Sequence, residues 1–195
     1  MLVSGSGSNL QALIESVHGA AAMIVGVCSS NDEAFALERA RVAGIESAVF
    51  ALTSYGGERE RRDRAMAEWL GQREVGLVIC AGFMGVLSAG FLVRFPDRVL
   101  NLHPSLLPAF PGANAIEDAY SAGVAETGVT VHLVDEVMDG GPIVAQCRLP
   151  VNYHETSEGL RARVHAAEHR LLPAVVEDVA RGALDLDVIA RKART

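Results

Sequence analysis

An amide and an imidazole side chain lie two residues apart at Asn101 and His103. The short apolar run Val99–Leu102 predicts a strand, so both side chains project from the same face. Open α/β sheets bind ligands at the carboxyl ends of such strands. An amide and an imidazole that point together can stabilise a carbonyl oxygen as it becomes an oxyanion. The alternative is a histidine that is hydrogen-bonded in the core, and the sequence leaves both open.

A glycine- and serine-rich turn, Ser4–Asn9, lies between a predicted strand at Met1–Val3 and a helix in which apolar residues recur from Leu10 to Val17. Glycines permit tight turns, and the unpaired N–H groups at a helix start favour an anion. The third glycine of a dinucleotide-binding fingerprint and the lysine of a Walker motif are both missing. The turn therefore predicts a site for a phosphate monoester, with an ordinary helix-capping turn as the alternative.

An acidic loop, 135–142, ends in Gly-Gly-Pro. If Asp139 reaches His103, its carboxylate stabilises the charged imidazole, holds its orientation and can take part in proton transfer. If the two do not meet, the loop is a solvated turn. The sequence alone does not decide between these readings.

The segment His165–His169 matches the H-x-x-E-H pattern of inverted zincins. Two histidines four residues apart share one helix face, so zinc ligation is geometrically possible. Short patterns of this kind also arise by chance. A polar helix face is the simpler interpretation.

Strand and helix patterns alternate along the elements that must position these residues. Apolar runs predict three early strands, at Met23–Val27, Ile45–Phe50 and Leu77–Ala81. Residues 129–133 and 143–149 predict a late hairpin, and a long helix at Ser157–Ala180 follows, with a kink expected at Pro173. The pattern predicts an α/β protein whose sheet is mostly parallel, with an antiparallel C-terminal portion.

The composition limits the class of protein. The 195 residues carry a net charge of −7, and half are hydrophobic, which excludes a disordered or coiled-coil chain and disfavours non-specific binding to nucleic acid. The length predicts one domain over residues 1–195, since domains average about 150 residues. The three cysteines, Cys28, Cys80 and Cys147, lack metal-binding spacing and are expected to be reduced. The sequence predicts neither a signal peptide nor an apolar run near the roughly 18 residues of a membrane span, so we expect a cytoplasmic protein.

Several segments together resemble the phosphoribosylglycinamide formyltransferases, folate-dependent enzymes of purine synthesis within the formyltransferase superfamily. The similarity covers nearly the whole chain through SGSGSNLQALI, SSNDEAFALERARVAGI, ICAGFMGVLS, LNLHPSLLPAFPG, TGVTVHLVDEVMDGGPIVAQ and RVHAAEHRLLP. The GSGSN loop distinguishes the glycinamide ribonucleotide enzymes from related formyltransferases. The resemblance implies a Rossmann-like three-layer α/β/α sandwich, in which the part up to about residue 100 binds phosphate and the rest holds the catalytic and folate loops.

The resemblance also implies a reaction. 10-Formyltetrahydrofolate, as co-substrate, would donate its formyl group to the amine of the phosphoribosylglycinamide. It further implies small-molecule substrates, no metal, no nucleic acid or membrane partner, and a monomer or homodimer.

By the same resemblance, three groups of residues acquire roles. The catalytic residues would be Asn101, His103 and Asp139. The ribonucleotide would be bound by Gly7, Ser8, Asn9 and Glu168. The folate would be bound by Arg59, Met84, Gly85, Val86, Leu87, Asn101, Asp135, Glu136, Val137, Met138 and Asp139.

Four departures from the family pattern accompany the resemblance. Gly85 stands where the family often has arginine, Asn114 stands where histidine is usual, and only three residues precede Ser4. The segment between Val49 and Glu58, just before Arg59, also matches the family less clearly in length. The alternatives are a formyltransferase that acts on another amine, such as a sugar amine, a zinc peptidase built on His165–His169, and a phosphate-binding homologue with impaired catalysis.

Overall fold

The computed structural model describes residues 1–194, within which seven strands and seven α-helices form. The chain divides into two compact units, one comprising Met1–Leu100 and the other beginning at Asn101. None of the helices in the described residues has the length and hydrophobicity that a membrane crossing requires.

Parallel strands form the centre of the first unit. Its elements are β1 (Leu2–Val3), α1 (Ser8–Ser16), β2 (Val27–Ser29), α2 (Phe35–Val42), β3 (Ser47–Val49), a 3₁₀ turn (Leu52–Tyr55), α3 (Arg59–Gly71), β4 (Val78–Ala81), α4 (Ala89–Arg94) and the start of β5 (Val99–His103). Strand β1 pairs in parallel with both β2 and β4, and β2 pairs in parallel with β3. The strand order is therefore β3-β2-β1-β4-β5. All residues of β1, β2 and β4 are buried, as expected for parallel strands covered on both faces.

The second unit contains an antiparallel hairpin. It comprises the end of β5, α5 (Ala115–Ser121), β6 (Glu126–Leu133), β7 (Ile143–Pro150), α6 (Ser157–Ala180) and α7 (Leu186–Ala193). Strand β6 lies between β5 and β7 and pairs antiparallel with β7, with a register shift between Val131 and His132. The predicted α/β class, with a mostly parallel sheet and an antiparallel C-terminal portion, is confirmed.

Some element boundaries differ from the sequence-based ones. Strand β2 begins at Val27 rather than Met23 because the preceding residues form a turn, in which the Ile24 N–H donates to Nδ1 of His18 at 3.0 Å. Helix α6 has the predicted bounds and continues through Pro173. Helix α7 was not predicted. Its start is stabilised by Asp185, whose side chain accepts from the N–H groups of Asp187 and Val188.

Two of the three cysteines behave as buried apolar residues. All three are free, and Cys28 and Cys80 are buried. Burial raises the pKa of the Cys28 and Cys80 thiols to about 12. Both thiols are therefore protonated at neutral pH, in agreement with the sequence-based interpretation.

Candidate active site

The glycine-rich turn between β1 and α1 depends on one close backbone approach. Gly7 has φ +70° at the N-terminal boundary of α1, and a Cβ at this position would lie 2.6 Å from Cβ of Ala36. The carbonyl of Gly5 accepts the Ala36 N–H at 3.1 Å. Among the described residues no side chain caps α1, and its first turn holds no acidic residue. The start of this helix therefore keeps the partial positive charge that attracts an anion.

Arg39 on α2 adds a formal positive charge to this turn. Its Nε donates to the Ser6 carbonyl at 2.9 Å, and its Nη1 donates to Oε1 of Gln11 at 2.9 Å. Sequence reasoning missed this residue, because its helical spacing alone indicates only one more charged position on α2. The guanidinium both shapes the turn and makes it more positive.

The three residues predicted to be catalytic meet in the second unit. Nδ1 of His103 lies 3.5 Å from Oδ2 of Asp139, and Nδ2 of Asn101 lies 3.4 Å from Oδ1 of the same carboxylate. His103 is only 4% exposed. Its Nε2 lies 2.8 Å from the Phe110 carbonyl, so this nitrogen carries a proton. A second proton on Nδ1 makes the ring a cation that faces Asp139.

A second histidine, His132 on β6, belongs to the same cluster and was missed by sequence reasoning. Its Nδ1 lies 2.8 Å from the Leu133 carbonyl and therefore carries a proton. Its Nε2 lies 3.1 Å from Nδ2 of Asn101 and 3.6 Å from Oδ1 of Asp139. With Nδ1 alone protonated, Nε2 accepts from Asn101; in the doubly protonated ring it donates toward Asp139. The available signal was a histidine between Val131 and Leu133, in a segment that the sequence predicts to be a strand.

The backbone around Asp139 places its carboxylate. Asp139 has φ +52°, a left-handed conformation that Asp tolerates better than most residues. The chain then passes so close to Leu133 that a Cβ at Gly141 would overlap the Leu133 carbonyl oxygen. The Gly112 N–H donates to Oδ2 of Asp139 at 2.8 Å, the shortest of the contacts described for this carboxylate.

The surroundings of Asp139 favour its ionised form. They lower its pKa to about 2, chiefly through the side chain of His132, and then through the Gly112 N–H and the charge of His103, against the opposing effect of burial. Asp139 is therefore a carboxylate at neutral pH, with an imidazole on either oxygen. Such a group can hold a protonated histidine and accept a proton.

Most of the residues that the resemblance implies for folate binding are exposed. In the first unit, Arg59 is exposed at the start of α3, and the segment after β4 exposes 72% of Met84 and 50% of Val86, with Gly85 and Leu87 half-buried. In the second unit, the exposed residues between β6 and Asp139 are Asp135, Glu136, Val137 and Met138. Each unit thus exposes two apolar side chains of this set, at 84 and 86 in the first unit and at 137 and 138 in the second.

Glu168, which was assigned to the ribose, is buried on α6. Its Oε2 lies 2.9 Å from Nδ1 of His165, and this hydrogen bond raises the pKa of His165. The zinc hypothesis rests on the same helix. Within residues 1–194, no group of three or more His, Cys, Asp or Glu side chains is arranged to hold a metal ion.

Comparison with known proteins points to one family. Residues 1–176 match the family described as "Formyl transferase". The phosphoribosylglycinamide formyltransferase of Haemophilus influenzae is 38% identical over 95% of this chain and 88% of that protein. The crystal structure of glycinamide ribonucleotide transformylase 1 from Symbiobacterium toebii superposes with a TM-score of 0.89 at 42% identity, over 93% of this chain and 86% of that one.

One relative is much longer. The chain is 43% identical to the bovine trifunctional purine biosynthetic protein adenosine-3 over 95% of its own length, but spans only 18% of that protein. The similarity to this relative therefore concerns one part of it.

The close approach at Gly7 predicts a cost for adding a methyl group there. Gly7→Ala should lower the free energy of unfolding by at least about 1–2 kcal/mol, because alanine is disfavoured at positive φ and its Cβ would meet Ala36. Chemical denaturation measures the change. Gly5→Ala is the matched control, since a Cβ at Gly5 meets nothing within 4 Å. Equal stability of the two variants would contradict this account of the turn.

The lowered pKa of Asp139 predicts a dependence of stability on pH. Ionised Asp139 stabilises the folded state above the pKa of an unfolded aspartate, near 4, and this contribution disappears as the pH falls toward 2. Between pH 4 and pH 2, wild type should therefore lose about 2 kcal/mol more stability than Asp139→Asn. Denaturation across this range tests the difference. Glu136→Gln, on the same loop, should keep the wild-type slope, and an equal slope in Asp139→Asn would refute the prediction.

Proposed function

Because the chain belongs to the formyl transferase family, we propose that it transfers the formyl group of 10-formyltetrahydrofolate to the amine of N1-(5-phosphoribosyl)glycinamide. The products are the N-formyl ribonucleotide and tetrahydrofolate, in de novo purine biosynthesis. The names of relatives at 37–38% identity that span nearly the same length support this activity. The observation that carries the proposal is the approach of Asn101, His103 and His132 to one carboxylate, that of Asp139.

The reaction needs an oxyanion to be stabilised and a proton to be moved. The amine nitrogen attacks the formyl carbon, a C–N bond forms, and the carbonyl electrons move to oxygen. The intermediate then expels the folate nitrogen, which takes up a proton, while the attacking nitrogen loses one. No covalent bond to the enzyme is required.

The cluster around Asp139 has donors suited to the first task. The contacts of Asn101 and His103 with Asp139, at 3.4 and 3.5 Å, are longer than the usual length of about 2.9–3.0 Å for an N–H···O hydrogen bond. Their contacts with Asp139 are therefore weak and can be exchanged for a formyl oxygen at little cost, while the Phe110 carbonyl at 2.8 Å keeps the His103 ring in place. Asn101 and a protonated His103 would stabilise the oxyanion, and Asp139 would keep His103 charged.

Asp139 also serves the second task. Its pKa of about 2 makes it an ionised acceptor at neutral pH, and neighbouring N–H groups fix its orientation. It would receive the proton of the attacking ammonium and return it, through water, to the departing folate nitrogen. Contact between the amine and the formyl carbon contributes further to the rate.

The turn at Gly7, Ser8 and Asn9 would bind the substrate phosphate. The uncapped start of α1 and the Arg39 guanidinium beside it support this role. Glu168 would bind the ribose hydroxyls. Arg59, the segment 84–87 and the loop 135–139 would bind the folate.

The remaining assignments concern context. We propose a cytoplasmic enzyme with two small-molecule substrates and no metal, as monomer or homodimer. The following assay distinguishes this function from three alternatives. They are a formyltransferase for another amine, a zinc peptidase and a catalytically impaired phosphate-binding homologue.

The assay mixes the purified protein with the glycinamide ribonucleotide and a formyl folate and follows the absorbance of the released folate. We expect turnover that chelators do not affect. His103→Ala or Asp139→Ala should lower turnover at least about a hundredfold, the usual effect of removing an oxyanion partner. The matched control is His154→Ala, an exposed histidine outside the site. Near-normal rates in the first two variants would remove these roles, and release of folate only with a different amine would replace the substrate.

The phosphate assignment predicts a specific substrate preference. The dephosphorylated riboside should show a KM about tenfold or more above that of the ribonucleotide, because it forfeits charge-assisted hydrogen bonds at the turn. Arg39→Met should reduce this preference by raising the KM of the ribonucleotide alone. Arg41→Met, which removes an exposed arginine from the same helix, is the control. A preference that survives unchanged in Arg39→Met would exclude Arg39 from phosphate binding.

A further inference from the structure

Arg62 on α3 is buried although most of the charged residues around it are exposed. Its side chain is 3% exposed and forms an ion pair with Asp63, which is fully buried, with Nη2 2.6 Å from Oδ1. Arg59, Glu60, Arg61 and Arg64 are exposed. A buried ion pair gains little over apolar packing unless further hydrogen bonds satisfy both partners. The targets of those further bonds therefore indicate what the pair does.

The further bonds all reach the segment 83–88 that follows β4. Nη2 of Arg62 donates to the Val86 carbonyl at 3.0 Å, and Oδ2 of Asp63 accepts the Ser88 N–H at 2.6 Å. The guanidinium also lies 5.6 Å from the centre of the Phe83 ring. The Arg62–Asp63 pair thus ties α3 to the backbone of this segment at two points.

Gly85 makes room for the guanidinium. A Cβ at Gly85 would lie 2.8 Å from Nη1 of Arg62 and 2.8 Å from the Phe83 ring. Gly85 is not among the residues with positive φ, so the lack of a side chain is explained by space and not by backbone conformation. A side chain at position 85 would therefore have to displace the Arg62 guanidinium and the Phe83 ring.

We propose that Arg62 positions the segment 83–88 to bind the formyl donor, and that its guanidinium, reaching from helix α3, occupies the space that a side chain at 85 would otherwise fill. This inference rests on the proposed function. Arg62 is a positioning residue, because its buried guanidinium acts through the Val86 carbonyl. The exposed Met84 and Val86 side chains that this backbone carries are the groups offered to the ligand.

Kinetics of two variants test the proposal. Gly85→Ala should displace the guanidinium from Val86 and raise the KM of the formyl folate about tenfold, the effect of losing one charged hydrogen bond. The KM of the amine substrate should stay near wild type, so that the effect is confined to the formyl donor. Arg62→Lys keeps the charge but lacks the planar fork, so it should raise the same KM and no other. Gly76→Ala and Arg61→Met are the controls, since a Cβ at Gly76 meets nothing within 4 Å and Arg61 is exposed.

The double variant supplies the decisive comparison. Added to Arg62→Lys, Gly85→Ala should raise the KM of the formyl folate much less than it does alone, because the guanidinium is gone and only the contact with the Phe83 ring remains. Additive effects on the KM of the formyl folate, or an unchanged KM in Gly85→Ala, would overturn the proposal.

Amide hydrogen exchange of the unliganded protein keeps this test independent of the enzyme activity. Gly85→Ala and Arg62→Lys should speed exchange at least tenfold in the segment 83–88, including the Ser88 N–H, and leave β4 unchanged. If exchange is faster in both variants but the wild-type protein transfers no formyl group, Arg62 positions the segment 83–88 and the proposed function is wrong. Wild-type exchange in both variants would reject the tie itself.

Discussion

The second unit is organised around one partly buried negative charge, the Asp139 carboxylate. A charge removed from water must be matched by donors, and Asp139 is surrounded by the Gly112 N–H, the Asn101 amide and two imidazoles. These donors come from β5, from β6 and from the loop after β5. The left-handed backbone at 139 and the close passage of Gly141 past Leu133 bring the carboxylate to them. The folding of this unit therefore brings together the groups that keep Asp139 ionised.

Local patterns predicted most of the elements, because their causes are local. The helix predicted at Ser157–Ala180 has the observed bounds of α6, and the alternation in 129–133 predicts a strand of the late hairpin. The errors arise where a tertiary contact ends an element. The His18 side chain accepts the Ile24 N–H, and β2 begins only at Val27 instead of at Met23. Helix α7 depends on its Asp185 cap and a single buried face. In the sequence, so short a pattern cannot be distinguished from that of a loop.

The candidate site was only partly predictable for the same reason. Asn101 and His103 share a strand, so their proximity follows from a period of two, and the resemblance supplied Asp139. Three other residues are defined only by long-range contacts: His132 by Asn101, Arg39 by Ser6, and Arg62 by Val86. In the sequence, each has an ordinary alternative, as a strand residue or as a charged helix position. Only the three-dimensional structure distinguishes Arg62, which is buried, from its exposed neighbour Arg61.

Bond lengths in the two units suggest a division between fixed and adjustable contacts. Contacts that hold backbone segments are short: 2.6 Å from Ser88 to Asp63, and 2.8 Å from both Met84 to Ser4 and Gly112 to Asp139. The side-chain donors around Asp139 lie at 3.4–3.6 Å. A group that must stabilise charge only in the transition state gains nothing from a strong ground-state partner, because that partner has to be given up when the charge develops. Weak ground-state contacts on a rigid frame are therefore what the proposed formyl transfer would require of this cluster, whereas a purely structural ion-pair network would be stabilised by closing these distances.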